Sequence, residues 1–201
     1  MSKIILLNGA GSSGKTSIAR AIQHLSSEQW LTFGVDTFIE MTPYSSPGKD
    51  GEYFAFVPGE NDRGPIMRVE SKPTGDKLFG VMADFALLLA NRGNNIIIDE
   101  VLFNDQQLKL YVDKLAEHNV YFVGVKCNLA IMQEREYLRR NRDVGLSNHQ
   151  FDRVHSGTRE YDLTADTSHS SVFNVAREII DFIDSNKNPQ GFNNMRNKFY
   201  G

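Results

Sequence analysis

The octet Gly9-Ala10-Gly11-Ser12-Ser13-Gly14-Lys15-Thr16 meets every fixed position of the pattern G-x-x-x-x-G-K-[ST]. A loop of this kind works in one setting: a buried strand delivers it and a helix carries the chain away. Both neighbours are present. Ile4-Ile5-Leu6-Leu7 is the continuous apolar run of a strand covered on both faces, and Ile18, Ile22 and Leu25 recur at helical spacing, which predicts a helix over 14–26. The glycines let the backbone curl so that successive amide hydrogens converge on phosphate oxygens, and the helix adds its positive N-terminal end. The nucleotide-binding set is therefore Gly9, Ala10, Gly11, Ser12, Ser13, Gly14, Lys15, Thr16 and Ser17. In such loops the lysine reaches the β- and γ-phosphates and the final hydroxyl, here Thr16, ligates Mg2+.

The rest of the chain repeats the strand–helix alternation. Apolar runs at Trp30 to Val35, Ile96-Ile97-Ile98 and Val120 to Val125 read as strands, with a weaker one at Tyr161 to Ala165. Helical stripes run from Leu78 to Leu89, from Leu108 to Leu115, over 129–142 and from Val172 to Ile183. This order predicts an α/β fold, a doubly wound five-stranded parallel sheet with helices on both faces, and a ligand edge at the strand C-termini. Residues 43–75 break the alternation. They hold five of the six prolines and the alternating Tyr53-Phe54-Ala55-Phe56-Val57, so an inserted hairpin or excursion beside the active edge is expected. Residues 1–186 form one domain in this reading, and 187–201, rich in Asn, a loosely held polar tail.

Composition narrows the function. Hydrophobic residues at 40% and charged residues at 23% suit one globular domain and exclude wholesale disorder. A formal charge of −3 offers no broad field for a polyanion, which argues against nucleic acid as a partner. No stretch approaches the ~20 apolar residues a spanning helix needs. The start runs into Asn8-Gly9 without a long apolar core, so no signal peptide or membrane partner is expected and the expected location is the cytoplasm. The lone Cys127 cannot form an internal disulfide, and the five histidines show no metal-ligand spacing.

Two acids end predicted strands. Asp99 follows Ile96-Ile97-Ile98, where a carboxylate holds magnesium through water or holds Thr16 in place. Glu100 beside it can point either way. Asp36 ends Gly34-Val35-Asp36, beside the phosphate loop; it serves either as a base for a hydroxyl facing the γ-phosphate or as the N-cap of the next helix. Arg135, Arg139, Arg140 and Arg142 cluster at helical spacing ahead of Gly145, as a cationic lid over a triphosphate would. A guanine-reading Asn-Lys-x-Asp is absent.

These residues together resemble the chloramphenicol phosphotransferase family. The likeness runs through Leu7-Asn8-Gly9, Trp30-Leu31, Phe33-Gly34-Val35-Asp36 and Ile96-Ile97-Ile98-Asp99. It continues in Val123-Gly124-Val125-Lys126-Cys127, Arg135-Glu136, Arg139, Arg142, Gly145, Val154-His155-x-Gly157, Tyr161-Asp162 and Asp166-Thr167-x-His169. The resemblance implies a small P-loop kinase that phosphorylates a hydroxyl of chloramphenicol from ATP. It also implies that Asp36 is the general base, that Lys15 and Thr16 hold ATP and Mg2+, and that Arg135 and Arg139 belong to the lid. By analogy with such kinases, Thr167 to Ser170 lies near adenine. Residues 43–75, where that family builds part of its acceptor pocket, align poorly and are longer and more polar here, and the loop ends in Thr16 where the family has serine. The expected partner is thus a small-molecule hydroxyl acceptor. The rival reading is a nucleotide-binding regulator or slow ATP hydrolase in which Asp36 orients water.

Overall fold

The computed structural model describes residues 2–43, 51–139, 144–157 and 159–201. The apolar runs become parallel strands: β1 (Lys3–Asn8), β2 (Trp30–Gly34), β5 (Asn95–Glu100), β6 (Asn119–Lys126) and β7 (Leu163–Asp166). They form one five-stranded sheet in the order β2-β5-β1-β6-β7. The chain leaves β1 toward one edge and later crosses to the other, so the loop after β1 opens at the switch in strand order, where α/β sheets bind ligands.

Alternate strand residues feed two cores, because successive side chains point to opposite faces. Ile4, Leu6, Ile96, Ile98 and Phe122 pack against α3 (Pro73–Asn91), α4 (Asp105–Leu115) and α8 (Gly191–Tyr200). Ile5, Leu7, Ile97, Val123 and Val125 pack against α1 (Lys15–Leu25) and α7 (Val172–Ser185). Trp30, Phe33 and Cys127 are buried, in line with their reading as core residues.

The excursion is an antiparallel hairpin outside the sheet, β3 (Phe54–Asn61) and β4 (Gly64–Ser71). It rests on α6 (Leu146–Val154), a helix absent from the sequence stripes, which follows α5 (Leu129–Arg139). Asn148 of α6 is buried and donates through Nδ2 to Asn61 Oδ1 at 3.1 Å and to the Pro65 carbonyl at 3.0 Å. Arg63 in the hairpin turn pairs with Asp152. The Met67 amide donates to the Gly145 carbonyl at 3.1 Å. Gly145 has φ +105°, and a β-carbon there would stand 2.7 Å from the Ile66 backbone, so the seam requires glycine. Buried Glu136 ties α5 to α6: its carboxylate accepts from the amides of Gly145 and Ser147 at 2.8 and 2.9 Å.

Two expectations need correction. Residues after 186 are not a loosely held tail. Phe192 and Met195 of α8 are buried against Phe122, and the Asp162 carboxylate accepts from the Gln190 and Gly191 amides at 2.7 and 2.8 Å. A narrow apolar stripe among asparagines suffices because Asp162 caps the helix start. The second strand also stops earlier than expected, at Gly34, and α2 (Val35–Glu40) begins at once. Gly34 is the N-cap of α2, so Asp36 lies inside the first turn and does not cap it.

Candidate active site

The phosphate loop joins β1 to α1 as expected. Lys15 is buried; its Nζ donates to the Ala10 carbonyl at 3.1 Å and lies 3.4 Å from Asp99 Oδ1. Thr16 Oγ1 donates to Asp99 Oδ2 at 2.5 Å. Register explains the meeting: Asp99 on β5 stands level with Leu7 of β1 and Gly34 of β2. Of the two arrangements open for Asp99, holding Thr16 is therefore seen directly. Ser17 is exposed in the first turn of α1.

The loop carries unspent polar capacity. The hydroxyls of Ser12 and Ser13 are buried without a hydrogen-bond partner among the described residues. Buried polar groups are normally paired, so these atoms fit a ligand rich in acceptors. The Thr16 hydroxyl beside an aspartate supplies the hard oxygen donors that Mg2+ prefers.

Asp36, Lys15, Thr16, Asp99 and Arg139 line one cavity of about 670 Å3. Beyond the loop its walls turn apolar, with Ile39, Phe56, Val69, Phe79, Met82 and Leu110. The hairpin thus supplies part of the far wall.

Arg135 lies elsewhere. Its guanidinium donates to the Thr167 carbonyl at 2.8 Å, to Thr167 Oγ1 at 3.3 Å and to the Ser12 carbonyl at 3.5 Å. Thr167 Oγ1 in turn donates to the Ser13 carbonyl at 2.6 Å. Arg135 and Thr167 so pin the outer side of the phosphate loop, while Arg139 faces the cavity. Arg140 and Arg142 lie outside the described residues.

Several site residues had no role in the sequence reading. Glu100 is buried on the cavity wall; it accepts from the Tyr111 hydroxyl at 2.5 Å and from the Val101 amide at 3.1 Å. Burial pushes its carboxyl up from 4.5 to about 7, against those two hydrogen bonds. The same burial, with Glu100 alongside, raises the Tyr111 phenol well above its ordinary value. Asn8, at the end of β1, accepts from the Leu102 amide at 2.9 Å and donates to Tyr161 Oη at 2.8 Å. His155 Nδ1 lies 2.9 Å from that hydroxyl and its Nε2 lies 3.2 Å from the Val125 carbonyl. A carbonyl only accepts, so the proton sits on Nε2 and Tyr161 donates to Nδ1. Burial lowers His155 to about 4 and keeps the ring neutral. No sequence period links these pairs; their signal is three-dimensional.

Known proteins resemble this chain in sequence and in fold. A Mycobacterium tuberculosis protein named "Putative O-phosphotransferase" is 28% identical over 215 residues, covering 98% of this chain and 89% of that one. The tunicamycin resistance protein of Deinococcus radiodurans superposes with a TM-score of 0.60 at 16% identity, covering 94% of this chain and 99% of that chain. The Mycobacterium tuberculosis APS kinase CysC, in complex with AMPPNP and APS, gives 0.60 at 14% identity, over 92% and 98%. The shikimate kinase of Acinetobacter baumannii, in complex with shikimate, gives 0.54 at 14%, over 93% and 95%. At these identities the structural likeness establishes the fold, that of P-loop kinases. The family model described as chloramphenicol phosphotransferase-like protein matches residues 2–184, nearly the whole chain, and the protein belongs to that family.

Proposed function

We propose that this chain is an ATP-dependent kinase that moves the γ-phosphoryl group to a hydroxyl of a small molecule. The observation that carries the reading is the single cavity that joins Lys15, Thr16 and Asp99 to Asp36 and then to apolar walls. In the reaction the acceptor oxygen bonds to the γ-phosphorus, the bond to the β–γ bridging oxygen breaks, and ADP leaves. The hydroxyl proton passes to the Asp36 carboxylate, a role worth ~10²-fold or more for a positioned base. Lys15 neutralises the β- and γ-phosphates. Thr16 and Asp99 would hold Mg2+, which supplies charge neutralisation on the phosphates when bound. Arg139 adds positive charge from the cavity wall, and the hairpin and α6 exclude water.

The apolar walls favour an alcohol with a hydrophobic body. Chloramphenicol is one such alcohol and the acceptor suggested by the family's name, so antibiotic inactivation in the cytoplasm is part of this reading. The test is ADP release from Mg·ATP with and without chloramphenicol, with a search for a phosphorylated product. Stimulation with product supports both acceptor and reaction class. Release that appears only with another alcohol keeps the class and rejects chloramphenicol. Rapid release with no acceptor favours the hydrolase, with Asp36 orienting water.

A further inference from the structure

Gln150 of α6 reaches across to the phosphate loop, where its Oε1 accepts from the Gly11 amide at 2.5 Å. The Ala10 carbonyl of that same peptide unit accepts from Lys15 Nζ at 3.1 Å. One peptide plane of the loop is therefore gripped at both polar edges, by a lysine from α1 and by a glutamine from a helix more than a hundred residues away. Both side chains line the cavity. An amide hydrogen can only donate, so the carboxamide oxygen is the atom fixed on Gly11. The nitrogen is thereby fixed as well, and among the described residues Nε2 donates to no neighbour. The residue is largely buried, but its Nε2 atom keeps access to solvent, on a side chain that lines the cavity. Glu136 and Asn148 hold α6 rigidly against α5 and the hairpin, so this donor is preset and needs no reorganisation when charge develops near it.

We propose that Gln150 is a further catalytic residue: its Nε2 donates a hydrogen bond to an oxygen of the transferring phosphoryl group. This rests on the phosphotransfer reading above. The loop amide orients the glutamine, and the glutamine orients the phosphoryl group toward the acceptor chamber.

The test uses the full chain, with Mg·ADP as a nucleotide probe and Mg·ADP plus aluminium fluoride as a mimic of the phosphoryl group in flight, both read by titration calorimetry. Wild type gains affinity for ADP when fluoride is added. Gln150→Met, similar in volume and uncharged, also takes the acceptor from the Gly11 amide, so it weakens ADP binding, and it lowers the affinity of the fluoride complex by roughly a further 10- to 100-fold, the worth of a hydrogen bond to a charged group. Gln150→Glu keeps an oxygen for the Gly11 amide, replaces the donor, and loses at least as much of the fluoride gain; it also serves if the Met variant fails to fold. Equal losses for ADP and for the fluoride complex in the Met variant would show that Gln150 merely holds the loop, and overturn the proposal. Unchanged fluoride binding in either variant also overturns it. If wild type itself gains nothing from fluoride, the phosphotransfer reading falls and takes this one with it, an outcome distinct from a failure confined to Gln150.

Discussion

Gly34 is pressed against Asp99: a β-carbon on Gly34 would lie 2.2 Å from the Asp99 carbonyl oxygen and 2.8 Å from its Cβ. The end of β2 can approach β5 only because this residue has no side chain. Asp36, two residues on, lines the same cavity as Lys15 and Thr16. Gly34→Ala must push the strands apart, at a cost of roughly 1–3 kcal/mol for overpacking. The expected outcome is a lower melting temperature together with loss of phosphoryl transfer. A variant that melts and turns over like wild type would disprove the link.

Asp36→Asn separates binding from chemistry. Nucleotide affinity should hold, while acceptor-dependent ADP formation falls by ~10² or more. Near-normal turnover in this variant would place the base at another residue.

Lys15→Ala should abolish turnover and weaken nucleotide binding, because the proposed role of this ammonium, which donates to the Ala10 carbonyl of the loop, is to hold the triphosphate. The variant is best examined by calorimetry with ATP, where unchanged affinity would contradict the loop assignment.

Glu100 and His155 tilt the stability of the fold in opposite directions with pH. The folded chain keeps a proton on Glu100 up to about pH 7, whereas the unfolded chain loses it near 4.5. Stability therefore falls as pH rises through that window, by roughly 3 kcal/mol at most. Glu100→Gln should gain relative to wild type between pH 5 and pH 8 in urea unfolding. His155 behaves inversely: the unfolded ring takes a proton below 6.5 and the folded ring only near 4, so its contribution is present above 6.5 and lost as pH falls toward 4. His155→Gln should flatten that acid-side loss. Parallel pH curves for wild type and variant would refute either assignment.

Deleting residues 187–201 should destabilise the protein, since it uncovers the core face that Phe192 and Met195 bury. Phe192→Ala alone is expected to cost about 3 kcal/mol or more, as large-to-small changes in cores do. An unchanged melting temperature on truncation would mean that α8 contributes nothing to the fold.

The sheet and the phosphate loop were legible because their signal is local. Four isoleucines and leucines ahead of Gly9, or three isoleucines ahead of Asp99, need no partner to be read as buried parallel strands. Cys127, Trp30 and Phe33 followed from the same logic. What stayed hidden depends on residues far apart in sequence. Gln150 meaning something to Gly11, or Tyr111 to Glu100, requires the strands to be assembled first. Asp36 was placed beside the loop from the order of strands, yet its helical setting depends on how closely Gly34 can approach Asp99. The arginines at 135 and 139 share a helix and a sequence period, but α5 turns them to different work: one faces the cavity and the other fastens the loop to Thr167. The last helix was missed because three apolar side chains among asparagines give a weak average, although they fall on one face.

Among the described residues the hairpin pairs with no strand of the sheet; it packs on α6 and meets the start of α3. The wall that the proposed acceptor would meet is therefore a separate panel, seated on α6 and not woven into the sheet. Residues on its inner face can be exchanged without disturbing the strands that carry Lys15 and Asp99. A chemist wishing to retarget such an enzyme would rewrite Phe56, Val69 and their neighbours and leave the engine alone.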